Sequence, residues 1–413
     1  MTFGLPHTAH GQALKPDECV MPIPGIVKVP EAGQHLQAEL SIWVYENERR
    51  PGLKSLFARY LDIDRDALGK AARERYERRT SLFLKDSESG KTVPIQVDGL
   101  AQPILMPETN QAGRSKHVVS LPRALWQGRG LPITYRIEGC HAHAEQGLLW
   151  PVEAEGLSIV SDIDDTIKVS EVQDKKQLLR NTFLKPFEAT PGMVDWYRQM
   201  AGLASAPGSR QAPDHRAAAD TSTDALDAPG AAEGVLKDAA GGHDHASATS
   251  LANAAARQQA KRAHSSAGTD IQFHYLSSSP LQLLPVLTEF LNEQQFPPGS
   301  LMLRESTSWR SLLPGDGDSE AHKQAQLRRL LTTFPKRQFI LIGDSGEADP
   351  EIYAEVARQH PRQIRAIFIR DVTGEKADAP RYQRTFGSLP RKQWHIVRDG
   401  AEGLATFQRL GIR

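Results

Sequence analysis

An apolar, β-like run that breaks off into carboxylates narrows what this chain can be more than any other stretch: Leu157-Ser158-Ile159-Val160-Ser161-Asp162-Ile163-Asp164-Asp165-Thr166. A strand whose C-terminal tip carries Asp-x-Asp-x-Thr sets two carboxylates side by side in the loops where open α/β sheets bind ligands. Such crowding is costly unless a cation neutralises it. Hard oxygen donors of this kind suit Mg²⁺, which binds one or two carboxylates together with a substrate phosphate. A calcium-binding EF-hand loop is excluded, because it needs an acidic or amide residue where Thr166 stands and a glycine where Ile167 stands. The plain alternative is an acidic turn that caps the next helix.

From Gly156 onward strand-like and helix-like segments alternate, the pattern of a parallel-sheet α/β domain. Residues 271–276 form a second apolar run, ending in Ser277-Ser278-Ser279-Pro280. Ser279 is expected to cap the following helix with Pro280 at its first position, and Leu281, Leu284, Leu287 and Leu291 then make an apolar stripe. Hydroxyls and free amides at such a junction suit phosphate oxygens. Ser277, last in the strand, is the better functional candidate, but a shift of one residue reverses the face of a strand, so Ser278 stays open as the phosphate ligand. A third helix is expected over 319–334, with Lys323 near its start, where the helix dipole disfavours a cation; the ordinary reading of such a lysine is a solvated surface residue. The next apolar run, 338–343, ends in Asp344-Ser345-Gly346-Glu347-Ala348-Asp349-Pro350, which puts two further acidic groups at a strand tip. Lys336 precedes that strand, at the end of the sheet opposite the carboxylates, which leaves Lys323 as their charge partner. Strand-like residues 364–369 and 394–397 and a helix over 401–410 complete the chain.

Upstream, residues 1–36 read as an N-terminal extension and 37–152 as a smaller β-rich, sandwich-like domain. Its strand-like runs are 40–45, 80–84, 93–97, 117–121 and 133–137, with helical spacing over 53–78 inserted between the first two. Cys140-His141-Ala142-His143 lacks a second ligand pair at zinc-site spacing and reads as an exposed strand end. Residues 201–268, rich in Ala, Gly, Ser, Asp and His, have too few large apolar groups to offset their ordering entropy and read as a disordered insertion, with His243 and His245 incidental. What remains between the first two acidic and hydroxyl motifs, 171–200, suffices only for a small lid. Fifty basic and fifty acidic residues balance, so bulk charge favours neither nucleic acid nor membrane. Two cysteines supply no disulfide framework, which fits a reducing cytoplasm. No basic segment with an apolar run follows the N-terminus and no stretch is long enough to span a bilayer. The expectation is a cytoplasmic protein, at most peripheral to a membrane.

In this order, Asp162-x-Asp164-x-Thr166, a strand-terminal serine, an isolated helical lysine and Gly343-Asp344-x-x-x-x-Asp349 resemble the four motifs of the haloacid dehalogenase superfamily. The longer strings Ser161-Asp162-Ile163-Asp164-Asp165-Thr166-Ile167-Lys168, Phe273-His274-Tyr275-Leu276-Ser277, His322-Lys323 and Gly343-Asp344-Ser345-Gly346-Glu347-Ala348-Asp349-Pro350-Glu351 resemble the catalytic domain of the actin-patch-protein type phosphatidate phosphatases. The resemblance covers residues 156 to about 400, apart from the insertion.

It implies a Rossmann-like parallel-sheet domain over 156–413 and a Mg²⁺-dependent phosphatidate phosphatase that releases diacylglycerol and phosphate. Asp162 would be the nucleophile that forms an aspartyl-phosphate, and Asp164 the acid and then the base. Mg²⁺ would be held by Asp162, the backbone carbonyl of Asp164, Asp344 and Asp349. Ser277 or Ser278 and Lys323 would grip phosphate oxygens, with Thr166 bracing the loop or touching substrate. A small lid would leave the site open to phospholipid at a membrane surface, where Lys168, Lys175, Lys176, Arg180 and Lys185 could meet anionic headgroups and Phe183, Phe187, Trp196 and Trp309 could enter the interface. The alternatives are a soluble phosphomonoesterase, a phosphotransferase of the same superfamily, or a non-catalytic lipid- or protein-binding module.

Overall fold

The computed structural model describes residues 11–47, 63–64, 66–128, 130–138, 144–203, 271–306 and 317–412, with short pieces at 55, 58–59, 257–259 and 315. The insertion at 201–268 lies almost wholly outside the described residues, as do Cys140, His141, His143, His243, His245 and Trp309.

The N-terminal part comprises strands β1 (Glu18–Ile23), β2 (Gly25–Val29) and β3 (His35–Asn47), helix α1 (Lys70–Ser81), and strands β4 (Lys85–Ser87), β5 (Pro94–Val97), β6 (Ile104–Leu105), β7 (Arg114–Pro122), β8 (Ile133–Glu138) and β9 (Ala144–Glu153). All nine strands belong to one sheet, ordered β1-β3-β2-β9-β8-β5-β6 with β4 and β7 also paired to β3. This corrects the sandwich-like expectation of two layers to a single curled sheet. Alternation along β3 explains how one sheet serves two cores. Leu36, Ala38, Leu40, Ile42 and Val44 face an interior shared with Val27, Ile95, Tyr135 and Leu149. Trp43 and Tyr45, on the opposite face, join a core that continues into the C-terminal part.

Two sequence expectations fail here. Residues 18–29, read as part of an extension, form β1 and β2, which exist only through pairing with β3 and β9. Residues 80–84, read as a strand, are the end of α1 and a turn. The hydroxyls of Thr80 and Ser81 donate back to the carbonyls of Tyr76 and Arg78, which removes their competition with the helix. Cys19, buried in β1, is disulfide-bonded, so the reduced thiols implied by the cysteine content are not found at this residue.

The C-terminal part runs β10 (Leu157–Asp162), α2 (Lys175–Phe183), α3 (Met193–Met200), β11 (Ile271–Pro280), α4 (Leu284–Glu293), β12 (Gly299–Arg304), α5 (Asp318–Thr333), β13 (Gln338–Asp344), α6 (Asp349–Gln359), β14 (Ile364–Arg370), α7 (Pro380–Phe386), β15 (Trp394–Val397) and α8 (Gly400–Leu410). Its six strands are all parallel, in the order β12-β11-β10-β13-β14-β15. Side chains from α3, α4 and α8 (Trp196, Leu287, Phe407) cover one face with Ile159, Phe273 and Ile342. Those from α5, α6 and α7 (Leu327, Tyr353, Tyr382) cover the other with Val160, Leu276 and Leu341. Burial on both faces is why these strands read as unbroken apolar runs. The strand order reverses between β10 and β13, and a crevice at the carboxyl ends is the usual ligand position of such a sheet.

Two guanidinium groups fasten the parts together. Arg337 donates to the carbonyls of Glu153 (3.1 Å) and Leu157 (2.7 Å) and to Ser158 Oγ (2.7 Å), locking the β9–β10 connection. Arg79 of α1 donates to the carbonyls of Thr182 (2.7 Å), in the last turn of α2, and Lys185 (2.8 Å), just past it, and lies 3.8 Å over the Phe187 ring. Among the described residues no helix is long and apolar enough to cross a membrane.

Candidate active site

The carboxylates at the tip of β10 fall into different environments within three residues. After β10 the chain turns through Asp165, whose φ of 52° lies in the left-handed region that aspartate tolerates better than most side chains. Its carboxylate accepts the backbone N–H groups of Ser170 (2.8 Å), Glu171 (2.8 Å) and Val172 (2.7 Å), and its carbonyl accepts from Arg370. Asp165, given no role from sequence, is therefore the brace of the loop. Thr166 is fully buried, and its Oγ1 has no hydrogen-bond partner among the described residues.

Asp162, Asp344 and Asp349 converge from β10, β13 and the start of α6. One oxygen from each lies within 4.8 Å of the others, and all three residues are buried. Lys323 of α5 reaches into them, its Nζ at 2.9 Å from Asp162 Oδ1, 2.6 Å from Asp349 Oδ1 and 2.8 Å from Glu347 Oε2, with 1% of its side chain exposed. It is a caged charge and not the solvated lysine that a helical position suggests. Close approach matters as well: a Cβ on Gly343 would fall 2.2 Å from Asp349 Oδ2, so only glycine lets α6 bring this carboxylate to the strand tip.

Burial pushes the Asp162 and Asp344 carboxyls well above the usual range; Lys323 opposes the shift, and the neighbouring carboxylates add to it. Burial also acts against the charge of Lys323, but Asp162, Asp349 and Glu347 outweigh it and hold the ammonium well above its ordinary range. One lysine thus faces an excess of buried negative charge. Asp162 Oδ2 and Asp344 Oδ2 are buried with no hydrogen-bond partner. Orphaned carboxylate oxygens in a buried all-oxygen donor set fit a hard divalent cation such as Mg²⁺.

Asp164 is treated in the opposite way. Its Oδ1 pairs with Lys168 Nζ at 2.8 Å and accepts from Ser170 Oγ at 2.8 Å; its Oδ2 accepts from Ser277 Oγ and Ser279 Oγ, each at 2.9 Å. Burial works against its ionisation, yet Lys168 and the hydrogen bonds from Ser170 and Ser279 prevail and hold it far below the usual carboxylate range. Its side chain stands outside the cluster formed by the other three aspartates.

The serine triplet resolves by strand alternation. β11 continues through Pro280, and α4 begins only at Leu284, after a 3₁₀ turn, with Leu283 at its N-cap. Ser279 is therefore not a helix cap; it shares a face with Ser277 and both hydroxyls point at Asp164. Ser278 lies on the other face, where its hydroxyl bonds Ser319. Sequence reasoning also missed Ser170, Glu347 and the role of Lys168; the i,i+4 spacing of Asp164 and Lys168 was the available signal. Lys168 is 2% exposed, and Phe183 and Trp196 are fully buried, so none of these three can meet a lipid surface. Lys175, Lys176, Arg180 and Lys185 are exposed, and Phe187 is half-buried beneath Arg79.

Residues 157–213 and 244–371 match the family model described as phosphatidate phosphatase APP1, catalytic domain. Asp162, Asp164, Ser277, Lys323, Asp344 and Asp349 all lie in the matched stretches. The chain is 28% identical over 234 residues to phosphatidate phosphatase APP1 of Saccharomyces cerevisiae, a match that covers 55% of this chain and 28% of that protein. It is 26% identical over 245 residues to an uncharacterized protein of Schizosaccharomyces pombe, covering 58% of this chain and 29% of that one. The match spans less than a third of either relative. A solved structure from work on the active site of a carbohydrate esterase aligns over 95% of this chain and 96% of its own at 10% identity, with a TM-score of 0.22 that carries no argument about the fold. Through residues 157–213 and 244–371, the C-terminal part of this chain belongs to the family of the phosphatidate phosphatase APP1 catalytic domain.

Proposed function

We propose that this chain is a Mg²⁺-dependent phosphatidate phosphatase, cleaving phosphatidate to diacylglycerol and inorganic phosphate through an aspartyl-phosphate on Asp162. The observation that carries this reading is the pairing of two carboxylates two residues apart, Asp162 with an unpartnered oxygen beside Lys323 and Asp164 turned away among Ser277, Ser279 and Lys168. Two carboxylates on one loop, one beside a caged lysine and one among hydroxyls, supply the groups a nucleophile and a proton carrier require, and a bound cation would favour the ionised form of Asp162. The strand order β12-β11-β10-β13-β14-β15 is that of a doubly wound sheet, which supports the Rossmann-like haloacid dehalogenase assignment.

Asp162, Asp344 and Asp349, with the backbone carbonyl of Asp164, would hold Mg²⁺. When bound, the ion supplies charge neutralisation for the carboxylates and for the transferring phosphoryl group. Lys323 holds Asp162 Oδ1; one oxygen of this carboxylate would face the ion and the other would bond phosphorus. In this reading the lysine ammonium would meet a non-bridging phosphate oxygen, and the Ser277 hydroxyl would exchange Asp164 Oδ2, to which it donates, for another. Lys168 and the surrounding hydroxyls favour the carboxylate form of Asp164, so the proton it would deliver to the leaving alkoxide would arrive with the substrate: a phosphomonoester monoanion, whose second pKa is about 6, carries one. Asp164 then takes a proton from the water that hydrolyses the aspartyl-phosphate, and phosphate leaves. Exposed Lys175, Lys176, Arg180 and Lys185 on and just after α2 support a peripheral approach to an anionic lipid surface.

The test is phosphate release from phosphatidate in mixed micelles and from a small aryl phosphate, with Mg²⁺ or EDTA, for the wild type and Asp162→Asn. The expected result is release that needs Mg²⁺, favours the lipid and is lost in the variant. Release from the aryl ester alone would retain the chemistry and discard the lipid, and release undiminished in Asp162→Asn would remove the nucleophile assignment.

A further inference from the structure

At the end of the parallel sheet opposite the carboxylate cluster, charge and shape combine in a way the chemistry above does not use. The chain as a whole carries no net charge, yet the three segments that meet there are one-sided. Residues 356–366 hold three arginines, 384–395 two arginines and a lysine, and 403–412 one arginine, with no aspartate or glutamate in any of them. Between these segments lies a half-open cavity of about 630 Å³. Arg358, Arg365 and Lys392 line it together with Leu389, Leu410 and Ile412; the remainder are two prolines, an alanine, Ser388 and Gln393, and none of the described lining residues is acidic.

We infer that this cavity is a second ligand site, built for a one-tailed anionic amphiphile: a carboxylate or phosphate head on a hydrocarbon tail. Its walls are set in advance. Gln393 Nε2 donates to the Ile364 carbonyl (2.7 Å), tying the turn before β15 to the start of β14. Arg358 donates to the Thr385 carbonyl (2.9 Å) and pairs with Glu355 (2.8 Å). Gly411, at φ 59°, ends α8 and turns Ile412 back against the core, where it is 9% exposed. The cations divide by what accounts for them. Arg358 and Arg409 stand in the last turns of α6 and α8, where helix carbonyls favour a positive charge, and Arg358 already has Glu355. Arg365, on β14, and Lys392, in the 3₁₀ turn, have no such reason, and their exposed side chains make no hydrogen bond or ion pair among the described residues. Ile367 pairs with Trp394, so these two residues, each two positions earlier, enter the cavity from the amino ends of neighbouring strands. An anionic head between them meets two uncompensated charges, while Leu389, Leu410 and Ile412 cover the tail. A purely polar anion would leave that hydrocarbon in water, and a neutral lipid would leave the cations unused. The volume falls within the ~300–1,000 Å³ of small-ligand sites. Seven residues of β14, at ~3.3 Å each, put roughly 20 Å between this cavity and the strand tips, so its occupant is held and not turned over.

The probes are decanoate and decyl phosphate with their shorter homologues, titrated by calorimetry into the whole chain below their micelle concentrations and in EDTA, where the unneutralised carboxylate cluster repels anions. Each should bind once per protein chain, more weakly as salt is raised, and tighten about three- to fourfold for each methylene buried. Arg365→Gln and Lys392→Gln should each weaken binding about five- to tenfold, and Leu389→Ser should lower the gain per methylene. Both cations are exposed, so the free variants should melt as the wild type does, which assigns the loss to binding. Asp162→Asn should bind like the wild type, which separates this cavity from the acidic cluster. A preference for one head would assign the natural ligand to carboxylates or to phosphomonoesters. Decanol binding as tightly as decanoate would reduce the cavity to an apolar patch and overturn the proposal. So would an affinity undiminished in both cation variants, an affinity lost in Asp162→Asn, or no binding at all. Capture of a glutamate-rich peptide by a chain that ignores both amphiphiles would give this face to an acidic protein segment instead. No readout uses phosphate release, so the result stands apart from the phosphatase reading.

Discussion

Lys323→Met tests whether one buried cation holds the acidic cluster together. Its Nζ makes contacts of 2.6 to 2.9 Å with Asp162, Asp349 and Glu347, and its side chain is 1% exposed. At an effective dielectric near 20, a pair at such a distance attracts by about 6 kcal/mol before desolvation. Burying the ammonium offsets most of that, and removing one partner from a buried pair costs ~3–5 kcal/mol, because the remaining charges are left uncompensated. In a chain of 413 residues that is a fall in melting temperature of roughly 3–6 °C. The sign with pH follows from the carboxylates. Asp162, Asp344 and Glu347 are raised by burial already, and loss of Lys323 removes what opposes the shift. Groups raised in the folded state stabilise it below their unfolded pKa, about 4 for aspartate, and that contribution disappears as pH rises through the raised value. The deficit should therefore be large at pH 8 and much smaller at pH 5, read by calorimetry without metal, and Mg²⁺ should recover part of it at pH 8. A shift under 1 kcal/mol, equal at both pH values, would refute the idea that Lys323 neutralises the cluster.

At the other end of the sheet, His274 is fully buried between Ser300 Oγ (2.7 Å) and Ser158 Oγ (3.2 Å), and burial pulls it down from 6.5 to about 3. The unfolded chain binds its proton first, so stability falls as pH drops below 6.5; between pH 7 and 5 this residue should account for about 2 kcal/mol, absent in His274→Gln by urea titration at both pH values. Gly343→Ala places a methyl group against Asp349 and should destabilise by ~1–3 kcal/mol while raising the Mg²⁺ concentration for half-maximal phosphate release; a melting curve and an activity titration check the two effects separately.

The parallel sheet was legible because its strands are buried on both faces and end in carboxylates, so the apolar run and the acidic tip appear together in Leu157 to Thr166 and again around Asp344. Local pattern could not reveal partners that the fold assembles from a distance. β1 and β2 acquire strand character from β3 and β9, and Ser279 joins Ser277 only because β11 runs on past the point where Pro280 suggested a helix. Lys168 looked like a surface lysine beside a lid, whereas the turn through Asp165 folds it back under Asp164. Charge count alone would not distinguish a caged lysine from a solvated one; the surrounding carboxylates do.

The clasp of Arg79 over the carbonyls of Thr182 and Lys185 means that the mechanical unit is larger than the matched one. The recognised stretch opens at residue 157, yet the residue that secures the far end of α2 is donated from residue 79. A fragment cut at the boundary of recognition would retain its acidic cluster and lose the anchor of the wall beside it. Such truncation should loosen discrimination among esters before it abolishes their hydrolysis.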